Sequence, residues 1–156
     1  MNEIIFKQGS IEDLDLIKPL WEKLNQLHFE LSENFKSRFR NKTWDIRKHD
    51  LLTKSREILI DYAIDSSNSI IGYCISTIDK EDEGIGEIDS IYVDGVYRKT
   101  GIGKQLMDRA IEWLISKETK IQRLDVGAGN ERVLDFYKQF DFYPINTVLQ
   151  RIEKNK

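Results

Sequence analysis

The chain carries one cysteine, two histidines and no surplus of basic charge, and each shortage removes a class of answers. A lone Cys74 has no partner for an internal disulfide, and within the apolar run I-I-G-Y-C-I-S it reads as a small buried residue rather than a nucleophile. His28 and His49 have no ligand-type neighbours at metal spacing, so no metal site is expected. His28 lies beside an apolar stripe and reads as a partly buried side chain before it reads as cleft lining. His49, between Lys48 and Asp50, reads as solvated. No apolar run approaches the about 20 residues of a membrane span. The opening M-N-E-I-I-F-K lacks the basic-then-apolar layout of a signal peptide, so a cytoplasmic address and no membrane partner are expected. A net charge of −3 offers no overall basic field for nucleic acid.

What is present is an ordered alternation of strand-like and helix-like stretches, with no internal repeat, linker or low-complexity segment. Residues 3–8 read as a strand, and Ser10 with Asp13 resembles a capping box that opens a helix. Leu14, Ile17, Leu20, Trp21, Leu24, Leu27 and Leu31 then recur at spacings of three or four, one apolar face ending near residues 32–34. Residues 38–41 are polar and undecided, and Thr43 is placed to cap a second helix holding Trp44, Ile46, Leu51 and Leu52. Residues 57–65 and 69–79 read as strands joined by the turn Ser66-Ser67-Asn68, and a turn around Gly84 and Gly86 leads into a third strand, 87–93. Such short connections predict an antiparallel meander. A helix bearing Leu106, Met107, Ala110, Ile111 and Leu114 follows, then a strand at 121–128, a helix at 131–140 and a closing strand at 145–151. The order β-α-α-β-β-β-α-β-α-β predicts an α/β fold, a mixed sheet covered by helices, in a single domain spanning 1–156.

The junction between the third meander strand and the next helix reads Y-R-K-T-G-I-G-K. The first N–H groups of a helix lack partners inside it and sit at the positive end of its dipole, so a turn exposing them suits phosphate oxygens. Gly101 and Gly103 remove side chains that would hold a phosphate away, and Arg98, Lys99 and Lys104 add positive charge. A pyrophosphate site is the inference. The P-loop pattern fails because Arg98 stands where its first glycine belongs; the dinucleotide pattern G-x-G-x-x-G fails because Leu106 occupies its last position.

What does fit is R-x-x-G-x-G directly after a strand. Here the chain resembles the GNAT superfamily of N-acetyltransferases, whose signature is [QR]-x-x-G-x-[GA] at a strand–helix junction. Two separated blocks, V-D-G-V-Y-R-K-T-G-I-G-K-Q-L-M and L-D-V-G-A-G-N-E-R-V-L-D-F-Y-K-Q-F-D-F, are similar to family blocks in the same order. The first 55 residues add only a compatible two-helix pattern. Asp141 stands where the family commonly has glycine, at a position that often needs the left-handed conformation; Asp tolerates it better than most residues. Gly95 replaces a frequent proline.

The resemblance implies the GNAT fold and transfer of an acetyl group from acetyl-CoA, as co-substrate, to a primary amine by direct attack in a ternary complex. It implies that Arg98, Lys99, Thr100, Gly101, Ile102, Gly103 and Lys104 bind the pyrophosphate. The main chain at Ile91 and Val93 would meet the acetyl carbonyl and pantetheine, and Asn130 the pantetheine arm, a role compatible with capping the next helix. Tyr137, seven residues beyond Asn130, matches the tyrosine that donates to the leaving thiolate; by spacing alone it is also a member of the helix's apolar face with Val133, Phe136 and Phe140. For the base the resemblance offers Asp89 first, Glu87 second and Asp125 third, with ordered water as a further route. Strand alternation predicts that Glu87, Asp89, Ile91 and Val93 share one face. Acetyl-CoA and an amine are the implied partners, with a homodimer left open. The alternative is a non-catalytic acyl-CoA-binding or sensing domain.

Overall fold

The structure is a computed structural model that describes residues 3–153. Its centre is a five-stranded sheet in the order β1 (Ile5–Gly9), β2 (Ser55–Ile64), β3 (Ile70–Asp79), β4 (Ile85–Val93) and β5 (Ile121–Arg123). Strands β1 to β4 are antiparallel, and β5 runs parallel to β4. Helices α1 (Lys18–Leu31), α2 (Lys36–Arg40) and α3 (Trp44–Lys54) lie between β1 and β2, α4 (Ile102–Ser116) between β4 and β5, and α5 (Leu134–Lys138) after β5.

Local chemistry sets most of these boundaries. The Asp13 carboxylate accepts from the Ser10 N–H at 3.0 Å, closing the expected box over a 3-10 turn (Ile11–Ile17) that runs into α1. Thr43 caps α3 by accepting from the Ile46 N–H at 3.2 Å. The undecided residues 38–41 fall largely in α2.

Each face of the sheet has its own core. On one, Leu14, Ile17, Trp21, Trp44 and Leu51 cover Ile60, Tyr73 and Ile75. On the other, Leu106, Met107, Ala110 and Leu114 of α4 cover Ala63, Cys74, Ile78 and Ile88. Burying a side chain such as Leu106 or Leu114, each fully buried, contributes about 2 kcal/mol.

Four expectations are corrected. Residues 145–151 do not form a closing strand; residues 142–153 have no helix or strand pairing. The strand expected at 121–128 pairs only over Ile121–Arg123. The helix expected at 131–140 is a 3-10 turn (Glu131–Val133) followed by the short α5. Glu87, Asp89, Ile91 and Val93 do not share a face, because Ile75 pairs with Ser90 while Ser76 pairs with Ile88, leaving Asp89 as the extra residue of a β-bulge. One inserted residue reverses the alternation, so Ile91 and Val93 pack toward α4 while Asp89 meets α3. Asp141 takes the left-handed conformation (φ 64°), and the chain turns back through a Phe142 N–H to Tyr137 O bond of 3.2 Å.

Candidate active site

The site is built where β4 and β5 part. Their last paired positions are Glu87 and Arg123, and beyond them β4 continues to Val93 with no neighbour on that side. Along a strand, successive N–H groups point to opposite edges. The Asp94 N–H reaches Ile71 O on β3 at 2.8 Å, so the N–H groups of Val93 and Ile91 project to the other edge, into the opening. Asn130 lies in the loop that follows β5. Its Oδ1 is buried without a hydrogen-bond partner and does not cap the next turn, which leaves it an acceptor open to a ligand.

At the end of β4 the chain turns into α4. Lys99 and Gly101 both have positive φ (62° and 87°), and among the described residues none of the backbone N–H groups of residues 99–104 reaches a backbone acceptor; the first to do so is Gln105, to Gly101 O at 3.1 Å. This row of free donors at the head of a 15-residue helix has the geometry that suits an anion. The two glycines differ. A Cβ on Gly103 would point at the Phe136 ring (3.5 Å) and Val93 (3.8 Å), whereas one on Gly101 would stand in open space beside the donors. Two of the three basic side chains are engaged elsewhere: Arg98 donates to Val93 O at 3.0 Å and lies over the Tyr92 ring, and Lys104 pairs with Asp108 at 2.7 Å, whereas Lys99 is exposed. Thr100 donates to Tyr97 O, tightening the turn. The free backbone N–H groups, with the exposed Lys99 beside them, give the loop its positive character.

The three candidate carboxylates have unlike settings. Asp89 is buried (side chain 1% exposed) and clamped between Arg47 and Lys54 of α3, the lysine at 2.6 Å. Both of its oxygens are occupied by cations, so neither faces a substrate freely. Glu87 is half-buried and, among the described residues, free of ion pairs. Burial pushes its carboxyl above the ordinary range, Lys54 pulls it back, and the charges of Asp89 and Asp125 add to the rise. Asp125 is exposed on the chain leaving β5. The cations that hold Asp89 went unseen in the sequence because nothing local links α3 to β4 across 42 and 35 residues.

Tyr137 packs on the α4 side with Phe136, Phe140 and Phe142. Burial pushes its hydroxyl up to about 12, so it keeps its proton at neutral pH. His28 is half-buried against Phe39 (5.5 Å between rings), and burial lowers its pKa; His49 is exposed. Cys74 is fully buried and its thiol is pushed far up by the same cause, which makes it a poor nucleophile. On the α1 side, Glu22, Lys23, Gln26, Leu27 and Glu30 line a cleft of about 430 Å³ against Tyr92 and Arg98, one the sequence did not announce.

The acetyltransferase (GNAT) family pattern matches residues 21–142 of the chain. The chain belongs to the GNAT acetyltransferase family. It is 38% identical over 68 residues to an uncharacterised N-acetyltransferase of Methanocaldococcus jannaschii, a match covering 44% of this chain and 29% of that one. The chain thus spans less than half the length of the curated relatives it matches. Among solved structures it is similar to a putative acetyltransferase from Pyrococcus furiosus, with TM-score 0.77 and 20% identity over 97% of this chain and 100% of the other. It is similar also to an aminoglycoside N-acetyltransferase solved with CoA, with TM-score 0.67 and 15% identity over 99% and 97% of the two chains. At such identities these structures establish the fold, a mixed α/β acetyltransferase fold.

Proposed function

We propose that the protein moves the acetyl group of acetyl-CoA to a primary amine by direct attack, with both substrates bound together. The observation that carries this reading is the parting of β4 from β5 after Glu87 and Arg123. It leaves free N–H groups at Ile91 and Val93, which lead to those of residues 99–104 at the start of α4, as a thioester with a pyrophosphate tail would need. The likeness to a CoA-bound acetyltransferase supports an acyl-CoA as the ligand of that path.

The residues divide the work across the sheet. Residues 99–104 hold the pyrophosphate through their backbone, and Asn130 Oδ1 accepts from an amide of the pantetheine arm. Glu87 takes the proton from the ammonium of the acceptor, directly or through water, and its raised pKa brings it nearer to that task than an ordinary carboxylate. The neutral amine forms a C–N bond to the thioester carbon, the C–S bond breaks with its electron pair on sulfur, and the second proton that the new amide nitrogen must lose passes through water to the thiolate. Tyr137 donates a hydrogen bond to that sulfur. A phenol near 12 is a weaker acid than a thiol of roughly 8.5, so its role is to stabilise the thiolate rather than to surrender a proton. Asp89, ranked first by the family resemblance, is assigned here to positioning α3, since Arg47 and Lys54 already neutralise it. With Cys74 buried, no acetyl-enzyme is invoked.

The test is release of free thiol from acetyl-CoA in the presence of a polyamine, an aminoglycoside, an amino acid and a peptide with a free N-terminus. Thiol release that depends on one of these amines is the expected outcome. Tight acetyl-CoA binding with no release on any amine would instead favour a non-catalytic acyl-CoA binder.

A further inference from the structure

The charge of this chain is unevenly placed. Residues 36–54, which form α2, α3 and the turn between them, hold seven basic side chains against two acidic ones, in a chain whose net charge is −3. Five of the seven have partners. Lys36 donates to the carbonyls of Phe29 and Glu30 at the end of α1 (2.8 and 3.1 Å), and Arg40 lies over the Phe29 ring. Lys48 pairs with Asp15 at 2.9 Å, and Arg47 and Lys54 hold Asp89. Arg38 and Lys42 are the remainder: among the described residues neither side chain has an ion pair, a hydrogen bond or a ring contact.

These two cations are not a solvated fringe. Arg38 is exposed, but Lys42 is half-buried, and an ammonium drawn out of water without a counter-ion costs stability. Burial and then the charge of Arg47 lower its pKa; Asp50 and Asp89 act against them, and Arg38 adds to the fall. Lys42 directly precedes Thr43, the cap of α3, and α3 sends Arg47 to Asp89 on the bulge of β4. Glu87, the group assigned to take the proton from the acceptor, faces the same way: it pairs with Thr77, which shares with Ile75 the face that α3 covers. The start of α4, where the pyrophosphate is placed, lies beyond Val93 at the far end of the strand, and α4 packs on the opposite face. An anion held by Lys42 and Arg38 is therefore not the phosphate of the cofactor. It belongs to the molecule that approaches Glu87 from the α3 side.

We propose that the acceptor carries an anionic group, a carboxylate or a phosphate, beside its amine, and that Lys42 and Arg38 bind that group while Glu87 faces the nitrogen. An ammonium and a guanidinium both make charge-assisted hydrogen bonds to carboxylate and phosphate oxygens. The substrate class is then an amino acid or a phosphorylated amine. A polyamine or an aminoglycoside would bring further positive charge against Arg38, Lys42 and Arg47, and like charges brought together select against it. Only the identity of the amine rests on the acetyltransferase reading; the anion site is tested without turnover.

The test is NMR titration of the isotope-labelled full chain, with CoA present, by matched pairs: a panel of amino acids each beside its amide, and O-phosphoethanolamine beside ethanolamine. Spermidine stands as the polyamine control. In one of the two series the anionic member is expected to bind at least about tenfold more tightly than its neutral mate, with shifts at residues 38–47; which series it is separates carboxylate from phosphate. Lys42→Met keeps the stem and removes the charge, and is expected to weaken the anionic member about ten- to a hundredfold. Lys42→Arg is expected to keep the preference, and acetyl-CoA affinity should match wild type in both. Equal binding within every pair, tighter binding of spermidine, or a preference that survives Lys42→Met overturns the proposal. If Lys42→Met fails to fold, Arg38→Ala at its exposed site carries the comparison, and an unaltered preference there overturns it likewise. A binding preference without thiol release on any pair upholds the anion site and overturns the acetyltransferase reading instead.

Discussion

β2 and β3 are each 10 residues long and β4 is 9, whereas β5 is 3. The two halves of the sheet differ in more than length. In the antiparallel half nearly every strand residue is paired and both faces are covered, so hydrogen bonds and apolar burial are spent on the fold itself. In the parallel half, donors at Ile91, Val93 and residues 99–104, and the acceptor Asn130 Oδ1, are left without protein partners. A buried unpaired acceptor such as Asn130 Oδ1 costs stability, and it persists here where a ligand could satisfy it. The bulge at Asp89 marks the seam between the halves, turning carboxylates toward α3 and aliphatic side chains toward α4.

The seam can be broken from its two carboxylates, which are expected to behave oppositely. Glu87→Gln is expected to lower kcat/KM by about 10²- to 10⁴-fold at neutral pH and to remove the limb of the pH–rate profile on which activity rises with pH. Its stability should not fall. A carboxyl raised above 4.5 by folding contributes stability that is present below that value and lost as pH rises through the folded pKa. At neutral pH the ionised Glu87 therefore opposes folding, and thermal melts of the variant should be equal or higher. An unchanged pH–rate profile would return the role of base to Asp89, Asp125 or water.

Asp89→Asn should do the reverse. Removing the charge leaves Arg47, 14% exposed, without its counter-ion, and is expected to cost about 3 kcal/mol in urea unfolding while acetyl-CoA affinity holds. A variant of wild-type stability but lost turnover would make Asp89 the base after all. A smaller effect is expected at the turn into α4. Gly101→Asn keeps a residue that tolerates positive φ but fills the open space beside the donors, and should weaken acetyl-CoA binding about tenfold by calorimetry with little change in thermal midpoint. Unchanged affinity would place the pyrophosphate elsewhere.

How legible each half was follows from the same contrast. The scaffold was readable because its signals are local: the strand-like runs of β2 and β3 with the turn at Ser66-Ser67-Asn68, the Ser10–Asp13 box, the Thr43 cap and the stripe from Leu106 to Leu114. The turn into α4 was readable from Gly101 and Gly103. The Asp89 bulge was not, because an inserted residue leaves composition unchanged and shows only against β3. Nor were Arg47 and Lys54, which reach Asp89 only once α3 packs over the sheet. Residues 145–151 have strand composition, yet pairing depends on an edge within reach, which composition does not encode.

The claim that the opened half performs chemistry, rather than merely holding acyl-CoA, rests on the Tyr137 hydroxyl. Tyr137→Phe keeps the ring against Phe136 and Phe140 and removes only the donor. Steady-state turnover of acetyl-CoA with the acceptor amine, measured beside acetyl-CoA affinity and thermal midpoint, isolates that group. A fall in kcat of about ten- to a thousandfold with affinity and midpoint nearly unchanged is the predicted result, since a donor to the departing sulfur acts mainly in the transition state. An unaltered kcat would contradict it and leave Tyr137 a residue of the α4-side core.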